Sequence, residues 1–443
     1  MTPFPPPPRP GPSQNYSRIT IGVLIVACLS GGPFVGLSRW VAEHQFSFDN
    51  WPFVFTVWAA AVVGGGMFVL DVVAPIAARG VRQSEMLLVA IATPVAFALW
   101  TLASAFWTKS PALTPSQALL MALVVLTAIW FGDALTFRQQ VMSLFIGLHA
   151  MTVLSLIISI ALESARLGEN DEWIGIFATP DLLSPVAGLG LLAAIGAALL
   201  TTELWQRVGI AVLVVADLVV AVMSGSSTGW LSIGASMLAF ALVLLVRGTT
   251  ARSQRGEPSS ARAGYITVVT VALLAVPIGI MAFGDSLSDD SPFAVRSRIW
   301  DAVVTAVEDR WIIGFGFQSV GNIASDAGFS TSIGGAHSTF VETLLSLGAI
   351  GLILLLTVVV FNVGRVWWQA LGGQSWAMGW WAAVSTFALM ENVTESMLNY
   401  HSIFWMLLVS PGFAAIRYSV SMANTSGRIT GTYPVQYSSY TYQ

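Results

Sequence analysis

One histidine, His337, stands between a glycine pair and a long apolar run, in the stretch GGAHSTFVETLLSLGAIG at residues 334–351. Thr339 followed three residues later by Glu342 is typical of a capping box, so we expect a helix to begin just after the histidine. The imidazole would then lie at the water interface. With an ordinary pKa of about 6.5 it is suited to take a proton from a hydroxyl group. The alternative is a hydrogen bond to a neighbouring carbonyl.

Three arginines, Arg296, Arg298 and Arg310, precede this histidine in one polar stretch, residues 284–337. Guanidinium groups bind phosphate oxygens with two parallel hydrogen bonds and stay charged at any working pH, so they suit a pyrophosphate. Ion pairing is the alternative. The acidic residues available for it in the same stretch are Asp289, Asp290, Asp301, Glu308 and Asp309.

The segment PFAVRSRIWDAVVTAVEDR predicts a helix that Ser291 caps and that Pro292 begins. Its apolar face at helical spacing consists of Ile299, Trp300, Val303, Val304 and Val307, and its polar face carries Arg298, Asp301 and Glu308. Such a helix is expected to lie along a membrane surface. The glycine-dense segment WIIGFGFQSVGNIASDAGFSTSIGGAH follows it, and these glycines allow close bending around a ligand or around other backbone.

Two acids fall inside apolar stretches, Asp217 in VLVVADLVVAV and Glu342. Ionisable residues at membrane depth are candidates for function, although the capping box is the alternative for Glu342. Asp217 has no obvious partner nearby in the sequence, and we expect it to face inward. In ENVTESMLNYH, residues 391–401, the acids Glu391 and Glu395 with His401 either line the same cavity or belong to a solvated loop. The solvated loop is the preferred interpretation.

The elements that must position these residues are membrane helices. The chain is 55% hydrophobic and 9% charged, whereas soluble domains carry about a quarter charged residues. Its apolar stretches are continuous and near the roughly 20 residues that a helix needs to cross a bilayer, which favours helices over a barrel. We predict an all-α polytopic membrane bundle of about twelve transmembrane helices, at residues 19–40, 51–75, 86–107, 117–135, 142–162, 182–201, 205–223, 228–246, 264–283, 338–361, 375–390 and 400–418.

Tryptophans gather near the ends of these predicted spans, where an aromatic belt is the preferred interpretation over a sugar-stacking platform. They are Trp40, Trp51, Trp107, Trp367, Trp368, Trp380 and Trp381.

The charge pattern excludes several classes of protein. A net charge of −4 without a basic stripe argues against nucleic-acid binding. The single cysteine, Cys28, excludes a disulfide framework and a cysteine metal site. The sequence shows no His, Asp and Glu cluster at metal-ligand spacing, which is compatible with a protein that uses no metal. We expect no cofactor.

Orientation follows from the positive-inside bias. With the N-terminus inside, most of the 19 lysines and arginines become cytoplasmic, and residues 247–263, RGTTARSQRGEPSSARA, are the strongest marker. Both termini are then cytoplasmic, and the two long connections, 163–181 and 284–337, are extracytoplasmic. We predict a disordered cytoplasmic N-terminal tail at 1–18 and a cytoplasmic C-terminal tail at 419–443. Transmembrane helices one to nine occupy 19–283, and helices ten to twelve occupy 338–418. Between helices nine and ten, residues 284–337 are predicted to form an extracytoplasmic catalytic loop with a surface helix.

The order RSRIW, GFGFQS and AHSTFVETLLSLGAIGLILL resembles the O-antigen ligase and polymerase superfamily. Its pattern is an arginine four residues before a tryptophan, a G-x-G turn, and Ala-His before an apolar helix with L-G-x-x-G. The matching positions are Arg296, Trp300, Gly314, Gly316, Ala336, His337, Glu342, Leu347, Gly348 and Gly351.

The chain departs from this pattern in three places. Ser338 follows the histidine where the family often has asparagine, and Ser227 stands where it has arginine. We expect Arg166 or Arg298 to replace that arginine, or the donor to differ from the usual one. Asp181 and Ser184 occupy a region where the family tends to have an asparagine.

The resemblance implies metal-independent, inverting glycosyl transfer at the outer face of the inner (plasma) membrane. The donor would be a polyprenyl-pyrophosphate-linked glycan, anchored in membrane lipid, and the acceptor a hydroxyl of a glycan or glycolipid. His337 would deprotonate that hydroxyl, while Arg296 with Arg298 or Arg310 would stabilise charge on the departing pyrophosphate. The further residues expected to bind substrate are Arg298, Arg310, Arg166, Glu342, Ser338 and Asp217.

Two other functions remain open. A polymerase of the same superfamily would transfer the glycan to another lipid-linked glycan. A transporter or flippase is suggested only by the number of helices, and the halves of the chain show no clear repeat of the kind common in transporters.

Overall fold

The computed structural model describes residues 12–30, 51–73, 85–167, 171–177, 179–253, 292–320, 323, 336–372, 375–400 and 402–430. Most of these residues are helical. The α-helices are α1 (Pro12–Leu29), α2 (Trp51–Phe68), α3 (Glu85–Ala103), α4 (Thr114–Ala134), α5 (Phe137–Ala161), α6 (Pro180–Leu200), α7 (Leu204–Met223), α8 (Ser227–Ser253), α9 (Pro292–Val307), α10 (Thr339–Val359), α11 (Arg365–Leu371), α12 (Trp376–Thr394) and α13 (Phe404–Thr430).

Short irregular elements join some of these helices. A short π-helix, Val69–Val73, extends α2, and a second short π-helix, Val360–Gly364, joins α10 to α11. Between α5 and α6 the strands β1 (Arg166–Leu167) and β2 (Glu172–Trp173) pair antiparallel. Among the described residues, α1 begins at Pro12 and α13 ends at Thr430, so both helices extend into the segments predicted as tails.

Eight helices within the described ranges are long and apolar enough to cross a membrane. The protein is therefore a polytopic helical membrane protein, as its composition indicates. The predicted total of twelve spans remains a prediction, and the predicted span 264–283 lies outside the described residues. The helix α12, also predicted as a span, is buried along most of its length, and α13, the last predicted span, is buried over residues 404–416.

The core between these helices contains several tryptophans. Trp380 and Trp381 are fully buried, and the Trp380 indole donates a hydrogen bond to the Leu192 carbonyl of α6, 2.6 Å away. The prediction that these two rings belong to an aromatic belt is therefore wrong, because they pack inside the bundle. Trp368 is exposed, as a belt residue should be.

The helix α10 is broken at Gly348, which has φ 69° and ψ −170°. The segment at residues 311–316 supplies backbone hydrogen bonds at the break. Phe315 N donates to Leu345 O at 3.0 Å and Gly316 N to Ser346 O at 2.8 Å. Ala349 N, in the helix, donates to Trp311 O at 2.7 Å. Backbone groups released by a helix break must find partners inside a membrane protein. This segment supplies them.

Two glycines make that approach possible. Gly314 and Gly348 both have positive φ, and a Cβ on Gly314 would lie 2.5 Å from the carbonyl of Ser346. A Cβ on Gly348 would lie 2.3 Å from the carbonyl of Ile312. For Gly314, which belongs to the glycine-dense segment at 311–337, the structure therefore shows the second of the two interpretations, a bend against other backbone.

The helix α9 begins at Pro292 and buries one face against α10 and the segment that follows α9. Ile299, Val303 and Val307 pack with Phe315 and Leu345. Val304, from the same predicted face, is exposed. The polar residues Arg298, Asp301 and Glu308 are exposed as expected. This packing fixes α9 relative to the start of α10.

Candidate functional site

His337 lies immediately before α10 and has a left-handed backbone conformation, with φ 49°. Such a conformation is uncommon for a residue other than glycine, so its surroundings must hold it. The residue before it is fixed at both ends: the Trp300 indole donates to Ala336 O at 2.8 Å, and Ala336 N donates to Glu342 Oε2 at 3.3 Å. The imidazole itself is 41% exposed.

The start of α10 differs in detail from the predicted capping box. The helix does begin just after His337, but Ser338 is its N-cap and makes no capping hydrogen bond with its side chain. The Thr339 hydroxyl instead donates to Asn392 Oδ1 of α12 at 2.6 Å, and the Glu342 carboxyl receives the Ala336 N–H. The capping box is therefore wrong, because neighbouring elements compete for both side chains.

One carboxylate joins the predicted base to a predicted cation. Glu395, just after α12, places Oε2 at 3.0 Å from His337 Nδ1, and its Oε1 accepts a hydrogen bond from Arg296 Nη2 of α9. Glu395 and Arg296 are largely buried, at 10% and 14% side-chain exposure. The polar sequence around Glu395 favours a solvated loop, so this residue is not among the predicted site residues.

The prediction of a solvated loop at 391–401 is wrong for the residues that the structure describes. Glu391, Glu395 and Asn399 are buried. The segment packs against the first turn of α10, where Thr339 N donates to Glu395 O at 3.3 Å. The alternative interpretation, in which its acids line the site, fits this packing. His401 lies outside the described residues.

The carboxylate of Glu395 determines the chemistry of the imidazole. The hydrogen bond to Glu395 raises the pKa of His337 above its ordinary value, against the opposing effects of partial burial and of the Arg296 charge. An ionised carboxylate only accepts hydrogen bonds, so Nδ1 carries a proton. In the neutral ring the lone pair is then on Nε2, which can act as a base.

The starts of α6 and α8 bring a further acid towards this site. Asp181, in the first turn of α6, accepts a hydrogen bond from Ser226 Oγ at 2.7 Å, and Ser226 lies 3.0 Å from the Thr228 hydroxyl. The Asp181 charge also favours protonation of His337. Ser227, where the family pattern has an arginine, is the first residue of α8 and adjoins this hydroxyl cluster.

Among the predicted site residues, the structure brings Arg296, Ser338 and Glu342 together with His337. It gives two other arginines different neighbours: Arg310 donates to Trp107 O at 3.4 Å, and Arg166 Nε donates to Ser159 O at 2.9 Å. Arg298 is on the exposed side of α9.

Asp217 of α7 is fully buried, and the partner that its own segment lacks comes from α5. Its Oδ2 lies 3.0 Å from His149 Nε2, and His149 Nδ1 lies 2.7 Å from Phe145 O. The two side chains form a buried polar pair between α5 and α7. Within the described part of the chain, no three His, Cys, Asp or Glu side chains are grouped so that they could hold a metal ion.

Comparison with protein-family models matches residues 210–356 to a family described as O-antigen ligase. The matched range runs from α7 to α10 and contains Arg296, Trp300, His337 and Gly348. A search of curated proteins finds no match. Glu395 lies beyond the matched range, so the family model gives no signal for it.

Proposed function

Since this chain belongs to the O-antigen ligase superfamily, we propose that it is a glycan ligase at the outer face of the inner (plasma) membrane. Family membership supports a membrane glycan ligase or polymerase in general. The proposal is more specific: a glycan moves from a polyprenyl-pyrophosphate carrier to a hydroxyl of a glycan or glycolipid acceptor, with inversion and without a metal. Its principal support is the contact of His337 with Glu395, which also binds Arg296.

In the proposed step His337 Nε2 accepts the proton of the acceptor hydroxyl. The acceptor oxygen forms a bond to the anomeric carbon as the bond between that carbon and the pyrophosphate oxygen breaks. The bonding electron pair remains on the departing pyrophosphate, and the proton remains on His337 until solvent removes it. A base of this kind contributes about 10²- to 10⁴-fold in rate.

Arg296 is the cation proposed to stabilise the departing pyrophosphate. Arg296 binds Glu395, the same carboxylate that contacts His337. A phosphate bound by Arg296 would therefore lie beside the imidazole. Arg298 lies on the exposed side of α9, and positions two apart on a helix do not face each other. We therefore assign Arg298, Arg310 and Arg166 to outlying contacts with the glycan or carrier, and Ser338 and Glu342 to shaping the start of α10. Asp217 remains a proposed substrate-binding residue.

A polymerase is the second candidate, and the same superfamily membership supports it. The two reactions share the donor and the base, and they differ in the acceptor. In a polymerase the product stays on a lipid carrier and lengthens. In a ligase the glycan leaves the carrier.

The test is transfer in membrane vesicles that contain the protein and a polyprenyl-pyrophosphate oligosaccharide, with products identified by mass spectrometry. His337→Ala should abolish transfer while the protein remains folded in the membrane. Glu308→Gln, which alters an exposed acid after α9, is the matched control and should transfer normally. Full activity in His337→Ala would refute the mechanism, and products that only lengthen on the carrier would favour the polymerase.

The same assay gives a pH profile. The base must be neutral, and its pKa is raised by Glu395, so transfer should increase with pH through a midpoint above the ordinary value of about 6.5. A midpoint well below that value would show that His337 does not limit the rate as a base.

A further inference from the structure

The site holds one carboxylate between two partners, the imidazole of His337 and the guanidinium of Arg296. Glu395 Oε2 lies 3.0 Å from His337 Nδ1, and Oε1 accepts from Arg296 Nη2. Each oxygen therefore serves a different partner. Since Glu395 and Arg296 are mostly shielded from water, their charges are screened less than those of a surface pair.

This arrangement makes the two contacts depend on each other. While Arg296 stays on Glu395, it neutralises part of the carboxylate charge and lowers the proton affinity of His337. If an anionic ligand draws Arg296 away, the whole carboxylate charge acts on the imidazole. Its proton affinity must then rise.

We propose that Glu395 is a positioning residue that couples the engagement of Arg296 by phosphate to the basicity of His337. The inference rests on the proposed function, because it takes the phosphate to be the pyrophosphate of the donor. Donor binding would then strengthen the base just when an acceptor hydroxyl has to lose its proton. With no donor bound, the site would hold a weaker base.

Other charged groups near His337 are placed differently. Asp181, from α6, is engaged by Ser226, and Glu342, from α10, accepts from the Ala336 backbone. Glu391, on α12, is fully buried. Among the described residues, Glu395 is the acid that contacts both Arg296 and His337.

The basicity of His337 can be measured without any substrate. Diethyl pyrocarbonate acylates neutral imidazole, and peptide mass spectrometry reports the modification of His337 separately at each pH. The exposed ring allows the reaction, while His149 is buried. The midpoint of the modification rate against pH gives the pKa of His337 in the purified, full-length protein.

The decisive experiment is a double-mutant cycle. Glu395→Gln should lower the midpoint by about one pH unit or more, because an opposite charge is removed. Arg296→Gln should raise it. In the Glu395→Gln background the effect of Arg296→Gln should be smaller, because only the direct effect of the Arg296 charge on His337 remains there. Equal effects in both backgrounds, or an unchanged midpoint in Glu395→Gln, would overturn the proposal.

Folding is controlled in two ways. Glu308→Gln should leave the midpoint unchanged. If Glu395→Gln does not fold, Glu395→Asp replaces it: the shorter side chain withdraws the carboxylate from His337, and the midpoint should fall by a smaller amount. A midpoint in Glu395→Asp equal to that of the wild type would contradict the proposal.

Inorganic pyrophosphate separates this inference from the proposed function. In the wild type it should raise the midpoint towards that of Arg296→Gln, and in Arg296→Gln it should have no effect. If the mutant cycle shows coupling but pyrophosphate changes nothing, the counter-ion role of Glu395 stands and the assignment of Arg296 to the donor phosphate fails. Coupling through Glu395 together with a pyrophosphate response supports both.

Discussion

Replacement of Trp300 by phenylalanine removes one hydrogen-bond donor and keeps an aromatic ring at the same place on α9. The indole N–H donates to Ala336 O at 2.8 Å, and Ala336 is completely buried. A buried carbonyl that loses its donor costs about 1–3 kcal/mol. After the change Ala336 keeps the longer contact from its backbone N to Glu342 Oε2, at 3.3 Å.

The expected result is misplacement of the base rather than unfolding of the protein. A cost of about 1–3 kcal/mol corresponds to roughly a 5- to 150-fold change in the population of the ordered arrangement. Trp300→Phe should therefore lower the transfer rate by about ten- to a hundredfold, with a small decrease in Tm. Initial rates in vesicles and intrinsic-fluorescence melting measure the two quantities.

The matched control is Trp311→Phe, at an exposed ring after the same helix. It should keep the transfer rate within about twofold of the wild type, as surface substitutions usually change little. A Trp300→Phe variant with the wild-type rate and the wild-type modification rate of His337 would refute the reasoning. It would mean that the backbone of Ala336 is held without the indole.

Two further substitutions test the supporting structure. Gly348→Ala places a Cβ 2.3 Å from Ile312 backbone at a positive φ, so folded yield or Tm should fall strongly. Gly364→Ala lies in the same long span with open space around it and should have little effect. Equal Tm values for the two variants would contradict the account of the helix break at Gly348. Asp217→Ala leaves the buried His149 without its polar partner and should cost about 1–3 kcal/mol, whereas Asp217→Asn should cost less. Denaturation in detergent gives both values, and a wild-type Tm for Asp217→Ala would disprove the pairing.

Patterns local in the sequence predicted much of this structure. The apolar stretches predicted spanning helices because burial in lipid requires continuous apolar surface. Spacing alone placed Ile299, Val303 and Val307 on one face of α9, and the change of composition after His337 located the start of α10. These features depend on neighbours within a few turns of the same helix, so the sequence contains the information.

Features that depend on packing between distant segments could not be predicted in this way. Glu395 contacts His337 across 58 residues of chain, and its polar surroundings are typical of a solvated loop. Only the docking of the end of α12 on α10 buries it. Gly314 and Gly348 present the same difficulty, because a glycine allows close approach of another backbone but does not show which segment approaches. For Trp380 the sequence does not show which helices cover the ring.

The position of His337 depends on three elements at once. Arg296 and Trp300 are four residues apart, so they project from one side of α9, and they reach the carboxylate beside the imidazole and the carbonyl before it. The segment that follows α9 is hydrogen-bonded to the broken part of α10. These bonds fix the position of α9 along α10, the helix that begins just after His337. The end of α12 supplies Glu395. A shift of α9 along α10 would therefore break both contacts at once, Arg296 with Glu395 and Trp300 with Ala336. This explains why an arginine and a tryptophan at fixed spacing accompany a G-x-G turn and a histidine at the start of a helix.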